Sequence, residues 1–151
     1  MKNKVTPFLW FDKNLPEIIK FYKNVFPDLK VINKSGMSDT PSGNVQMATV
    51  KFAGREYQMM AAGPYFKFTE AFSLVISCND QKQVDSFWKK LTADGGSESQ
   101  CGWCKDKYGL SWQVVPKQLP KLLSHKNKEV SSYAQQQMMK MKKIIIKDLS
   151  K

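Results

Sequence analysis

The stretch Phe8–Phe26, "FLWFDKNLPEIIKFYKNVF", decides how the chain is read, because it recurs. Shifted by 66 positions, it falls on Leu74–Thr92, "LVISCNDQKQVDSFWKKLT". Asn14 meets Asp80, Ile18 meets Val84, Phe21-Tyr22 meets Phe87-Trp88, and Val25 meets Leu91. Each copy is an apolar run, then Asn or Asp, then apolar residues at helical spacing. That pattern reads as a strand, an N-cap and an amphipathic helix. The side-chain oxygens of Asn14 and Asp80 are expected to accept from the orphan N–H groups of the first turn. Pro27 stops the first helix and Gly95-Gly96 the second.

The ends of the two copies match at a shift of 55, where "GREYQMM" (Gly54–Met60) falls on "GLSWQVV" (Gly109–Val115). Between helix and last strand, the first copy predicts strands near Val31–Lys34, Gln46–Phe52 and Glu56–Met60, with a turn at Ala53-Gly54. "SGMSDTPSGN" (Ser35–Asn44) reads as a loop by composition. In the second copy the corresponding strands fall near Ser97–Trp103 and Leu110–Val115, around the turn "DKYG". The reading is an α+β chain of two tandem βαβββ modules, about residues 5–62 and 68–116. Together they make a curved mixed sheet around a central cup, with helices outside. Residues 117–151 read as a helical tail. "LPKLL" is a short helical turn, and a longer helix runs from Val130 to Leu149 with Tyr133, Met138, Met141, Ile145 and Leu149 near one face. The whole, 1–151, is expected to be one domain.

The composition is globular, with 42% hydrophobic and 12% aromatic residues. No run of about 18 apolar residues exists, so no membrane span is expected. "MKNKVTPFLWF" has no apolar core with a cleavage site, and the three cysteines are an odd number. Both features point to the reducing cytoplasm and free thiols. The formal charge is +11, yet Arg55 is the only arginine among 24 basic residues, and the lysines are scattered along the chain. Arginine is the residue that forks onto phosphates and bases. Nucleic acid is therefore not an expected partner, whereas an anionic small ligand is compatible with the charge.

The paired modules resemble the vicinal-oxygen-chelate superfamily of glyoxalase I, bleomycin-resistance proteins and extradiol dioxygenases. "TPFLWFDKN…FYKNVFP", "AAGPYFKFTEAFSLVISCND", "QCGWCKDKYGLSWQVVP" and "MMKMKKIIIKDL" resemble its PhnB-like branch, whose members often carry the label 3-demethylubiquinone-9 3-methyltransferase. That label implies an S-adenosylmethionine site with a glycine-rich strand-to-helix turn, and no G-x-G pattern occurs here. The superfamily also implies a metal, with a His near the start of each first strand and a Glu in each last strand. By the repeat, those positions fall at Pro7 and Gln58, and at Ser73 and Gln113. Divalent metals want imidazole, thiolate or carboxylate. No bound metal and no cofactor are therefore expected, and the lone histidine, His125, lies outside both modules.

Strand residues alternate faces. If Gln58 and Gln113 point into the cup, so do Met60, Ser111 and Val115, and on the first strands Pro7, Leu9, Phe11, Ser73, Val75 and Ser77. Phe8, Trp10, Tyr57, Leu74 and Trp112 then face the helices. Trp103 and, at the rim, Cys101 complete the candidate ligand-binding set. Such a cup is apolar with two facing amides, and it is either an open pocket or a filled core.

Cys101 and Cys104 form a C-x-x-C. Without a second pair or a His pair, a zinc site is not expected. On one extended strand, residues three apart point to opposite faces, so a bridge between them is not expected either. Cys104 reads as a small hydrophobe. Cys101 is either packing or a contact at the cup rim. The carboxylates Asp12, Glu70 and Asp106 fall at strand ends and turns and define no acid–base pair.

The expected function is binding of a small organic ligand in the apolar cup without a metal. The alternative is a metal-independent enzyme using Cys101 or a bound cofactor. The resemblance implies a homodimer with an interface above about 1,000 Å². The alternative is that the tail helix folds back on its own modules.

Overall fold

The computed structural model describes residues 5–151. Residues 1–4, with which the stretch read for an export signal begins, lie outside them. The backbone divides into two compact units, one ending at Lys67 and the other running from Phe68 to Lys151.

The first unit is β1 (Phe8–Phe11), α1 (Leu15–Val25), β2 (Lys30–Thr40), β3 (Gly43–Phe52) and β4 (Arg55–Ala61). Its four strands lie in the order β1-β4-β3-β2, with β1 parallel to β4 and the other pairs antiparallel. The amphipathic face of α1 buries Leu15, Ile18, Phe21, Tyr22 and Val25. The core beneath it is aromatic. Phe52 stacks on Tyr57 at 4.2 Å and on Phe26 at 4.6 Å, and Tyr22 lies parallel to Phe52.

Two readings of this unit are corrected. Asn14 precedes α1 as expected, but its side chain makes no capping bond. It occupies the left-handed region (φ 64°), and Pro16 sits in the first turn. Asn tolerates that conformation better than most residues, so its contribution is to the backbone turn. The stretch Ser35–Asn44 is no open loop: β2 and β3 continue as a paired hairpin to Thr40↔Gly43. Its Ser, Gly and Asp composition resembles a loop because β2 is an edge strand exposed along nearly its whole length.

The second unit repeats the plan: β5 (Ser73–Cys78), α2 (Gln81–Thr92), β6 (Ser97–Glu98), β7 (Trp103–Lys105) and β8 (Ser111–Pro116), in the order β5-β8-β7-β6. Asp80 caps α2 as expected, its carboxylate accepting from the Gln83 N–H at 2.8 Å. The core includes Ile76, Cys78, Val84, Trp88, Leu91, Cys104, Leu110, Trp112 and Val114. The chain is thus α+β with two βαβββ modules, followed by α3 (Gln118–Leu123) and α4 (Lys128–Met139).

The tail departs from expectation. The helix does not run from Val130 to Leu149; it ends at Met139, and Ile146–Asp148 form a single 3-10 turn. Three consecutive β-branched isoleucines, Ile144–Ile146, are weak helix formers. Tertiary bonds supply what a helix would have supplied. The Cys101 and Gly102 N–H groups donate to the Met141 and Lys142 carbonyls at 2.8 Å. The Gln81 amide donates to the Ile144 carbonyl at 3.0 Å and accepts from the Ile146 N–H at 2.8 Å. Ile144 and Leu149 bury against Leu119, with Val115, Leu122, Met138 and Met141 around them. Of the apolar residues read as one helical face, Met138, Met141 and Leu149 thus pack within the unit.

Gln81→Ala should release the tail, because one side chain satisfies two backbone groups there. The expected loss is about 1–2 kcal/mol. Faster amide exchange at Ile146 and earlier proteolysis at Lys142 or Lys143, relative to the parent protein, would report it.

Candidate functional site

In each unit the helix packs on one sheet face, and the candidate site is the other face. In the second unit, strand register lays out that face. Ser73 is beside Ser111, Ser111 beside Lys105, and Lys105 beside Ser97. The next row is Val75, Gln113 and Trp103. The Gln113 amide donates to the Ser73 hydroxyl at 3.0 Å. Val75 is 61% exposed, so α2 does not cover this face. The expected grouping of Ser73, Val75, Trp103, Ser111 and Gln113 on one face agrees with this register. Val115 continues the alternation but packs against the Leu119–Ile144–Leu149 cluster.

In the first unit the facing of the first strand is reversed from expectation. Leu9 and Phe11 are buried, and Phe11 meets the Tyr22 ring of α1. Pro7 precedes β1 in the same alternation, and its carbonyl accepts from the Gln58 N–H. The side chains beside Gln58 and Met60 are Phe8 and Trp10. Met60 packs with Val45, Ala62, Met47 and Trp10. The Trp10 indole donates to the Gly63 carbonyl, and Phe66 meets its ring edge-on at 5.0 Å.

The physical reason is one residue. Three residues separate β1 from α1, Asp12–Asn14, but only Asn79 and Asp80 separate β5 from α2. The helices align at a shift of 66, while Phe8 beside Gln58 corresponds to Val75 beside Gln113, a shift of 67. A slip of one turns every strand side chain to the opposite face. The left-handed Asn14 lies in this longer turn.

Cys101 is not on a strand. It and Gly102 form consecutive left-handed positions (φ 58° and 84°) in the turn before β7. A Cβ on Gly102 would sit 3.0 Å from the Val114 carbonyl and 3.1 Å from Ile144, so a side chain there has no room. The C-x-x-C run thus shapes a turn that holds the tail. Cys104 is 1% exposed on the helix side, and all three thiols are free. Burial raises the Cys104 thiol to about 12 and the Cys78 thiol to about 11, from an ordinary 9.0. Both are thus neutral in the folded chain across the physiological range. In the unfolded chain they ionise near 9.0, so the unfolded state gains charge first as pH rises. Their contribution to stability should be complete below about pH 9 and fall between about pH 9 and 12. Urea titrations across that range, with Cys78→Ala and Cys104→Ala as controls, would check the loss.

A cleft of about 180 Å³ opens among Glu70, Ser97, Glu98, Ser99, Trp103, Cys104, Lys105 and Ser111. The Ser111 hydroxyl is buried there with no hydrogen-bond partner among the described residues. Lys105 pairs with Glu70. This hydrogen bond is the first cause holding the exposed Glu70 carboxyl below its ordinary range. Sequence reading placed Glu70 only on a turn and singled out neither Lys105 nor Phe66. No sequence signal sets Lys105 apart from the other lysines; its place beside Ser111 shows only in the strand register.

The donors present do not fit the superfamily's metal. Gln58, Ser73 and Gln113 are neutral, and Gln113 donates to Ser73. Among the described residues no three His, Cys, Asp or Glu side chains gather as a possible ion site. Nor do they fit a glycine-turn nucleotide site, since neither strand-to-helix turn, Asp12–Asn14 or Asn79–Asp80, contains glycine. Among the described residues no helix is long and apolar enough to cross a membrane.

Comparison with known proteins gives a consistent picture. No curated protein matches the chain. Among solved structures, the PhnB protein of Bacillus cereus is 26% identical, with a TM-score of 0.66 over 76% of this chain and 99% of that one. The fosfomycin resistance protein FosX of Listeria monocytogenes is 17% identical (TM-score 0.62, 83% and 99% covered). A glyoxylase/bleomycin resistance protein/dioxygenase domain from Frankia is 14% identical (TM-score 0.53, 74% and 94% covered). The last two show likeness of fold. Residues 3–115, both βαβββ modules, match the family described as 3-demethylubiquinone-9 3-methyltransferase. The chain therefore belongs to that family, resembles the PhnB protein in sequence and structure, and shares its fold with the glyoxalase/bleomycin-resistance structures.

Proposed function

We propose that the chain binds a small organic ligand on the sheet faces opposite α1 and α2, without a resident metal. The observation that carries this reading is the uncovered face of β5, β8 and β7. There Val75 and Trp103 flank the Gln113 amide, and the Ser111 hydroxyl has no partner among the described residues. Aromatic and aliphatic surface with a few convergent polar groups is what a small-molecule site requires. In the first unit, Phe8, Trp10 and Gln58 offer the same mixture of ring and amide. Binding there needs hydrogen bonds and stacking and no Lewis acid, because the superfamily's metal positions hold a proline, two neutral amides and one hydroxyl.

A thermal-shift screen of small organic compounds on chelator-treated protein tests it. Hits whose stabilisation survives chelation, and is weakened by Gln113→Ala, are the expected result. Stabilisation only after a divalent metal is returned, or no hit at all, would contradict it.

A further inference from the structure

We propose that the cleft around Ser111 and Lys105 binds the carboxylate of a small aromatic acid, and that Glu70 occupies Lys105 when no ligand is present. This rests on the ligand-binding reading above and names the chemistry of the ligand. Among the described residues, Lys105 is the only basic one lining the cleft. Directly beside it in the ladder is Ser111, 1% exposed, whose hydroxyl has no partner among the described residues. A buried hydroxyl left unpaired is unfavourable, and a ligand acceptor would satisfy it. The Glu70 carboxylate already on Lys105 demonstrates that a carboxylate reaches this ammonium. Both partners are partly exposed, at 36% and 65%, so the pair is weak and exchangeable. The other acid of the cleft is engaged elsewhere: one Glu98 oxygen accepts from the Trp88 indole at 2.7 Å and the other faces Lys142 at 3.9 Å. Trp103 supplies a ring surface for the apolar part of the ligand. The charge of +11 favours approach of an anion over that of a cation.

Calorimetric titration with benzoate, and with neutral benzamide as its isostere, tests the proposal on four proteins. The parent chain should bind benzoate more tightly than benzamide. Glu70→Gln removes the internal competitor and should tighten benzoate about threefold to fivefold while leaving benzamide unchanged. Lys105→Met should weaken benzoate at least about tenfold. Ser111→Ala should weaken benzoate yet leave the protein at least as stable, because it removes an unpaired hydroxyl. Equal affinity for the two compounds, unchanged by Glu70→Gln, would overturn the carboxylate inference and leave the ligand-binding reading standing. Absence of saturable benzoate binding to both the parent and Glu70→Gln would also overturn it. Only if the chelated protein gave no screening hits would the broader reading fall as well.

Discussion

Asp106→Ala is expected to lower the unfolding free energy by about 3–5 kcal/mol, among the largest single-residue effects in the molecule. Asp106 is 2% exposed. One carboxylate oxygen accepts from the Tyr108 and Leu110 N–H groups at 2.9 and 3.2 Å, and the other from the Trp112 indole at 2.9 Å. Its backbone closes the same turn, donating to the Leu110 carbonyl and accepting from the Gly109 N–H. One side chain thus sets the β7–β8 turn and fixes the largest fully buried ring. Alanine would strand three donors, two on the backbone and one on the ring. Asp106→Asn keeps the shape and can retain the two backbone bonds, but turns an NH₂ toward the indole N–H, so a smaller loss of about 1–3 kcal/mol is expected. In a Trp112→Phe background the Asn substitution should become milder. Urea unfolding of the parent, Asp106→Ala, Asp106→Asn, Trp112→Phe and the Trp112→Phe/Asp106→Asn double variant measures this, and a loss under about 1 kcal/mol for Asp106→Ala would refute the account of the turn.

Phe52→Ala should cost about 3–5 kcal/mol. Phe52 is 2% exposed at the end of β3 and lies between Phe26 and Tyr57. Removing the ring leaves a cavity that the neighbouring strands cannot fill, and offset stacking on two rings adds to the area term. Burial also raises the Tyr57 phenol. Phe52→Ala should therefore bring the Tyr57 titration back toward its ordinary range in the same sample. Unchanged stability together with an unchanged Tyr57 titration would show that the aromatic stack is not what holds the first unit.

The repeat was legible because helical spacing survives sequence drift. Ile18 and Val84, and Tyr22 and Trp88, lie on the buried faces of α1 and α2 as the alignment required. The facing of the first strand was not legible, because the extra residue before α1 changes parity without changing hydrophobicity. Phe8, Leu9, Trp10 and Phe11 are all apolar, so no alternation marks the slip. The tail was misread because its apolar spacing is compatible with a helix, while the bonds that override it come from Gln81, Cys101 and Gly102, far away in sequence. The Lys105–Glu70 pair was hidden for a different reason. Scattered lysines look alike in sequence, and only register separates the one beside a buried hydroxyl from those in solvent.

The central claim is that the sheet face opposite α2 is the ligand face. Amide chemical-shift mapping of a screened compound on isotope-labelled, chelated protein tests it most directly. The account predicts saturable shifts concentrated at Val75, Trp103, Ser111 and Gln113, with the outer face of α2 at Lys82 and Lys89 unmoved. Shifts confined to α2, or appearing only when a divalent metal is added, would contradict it.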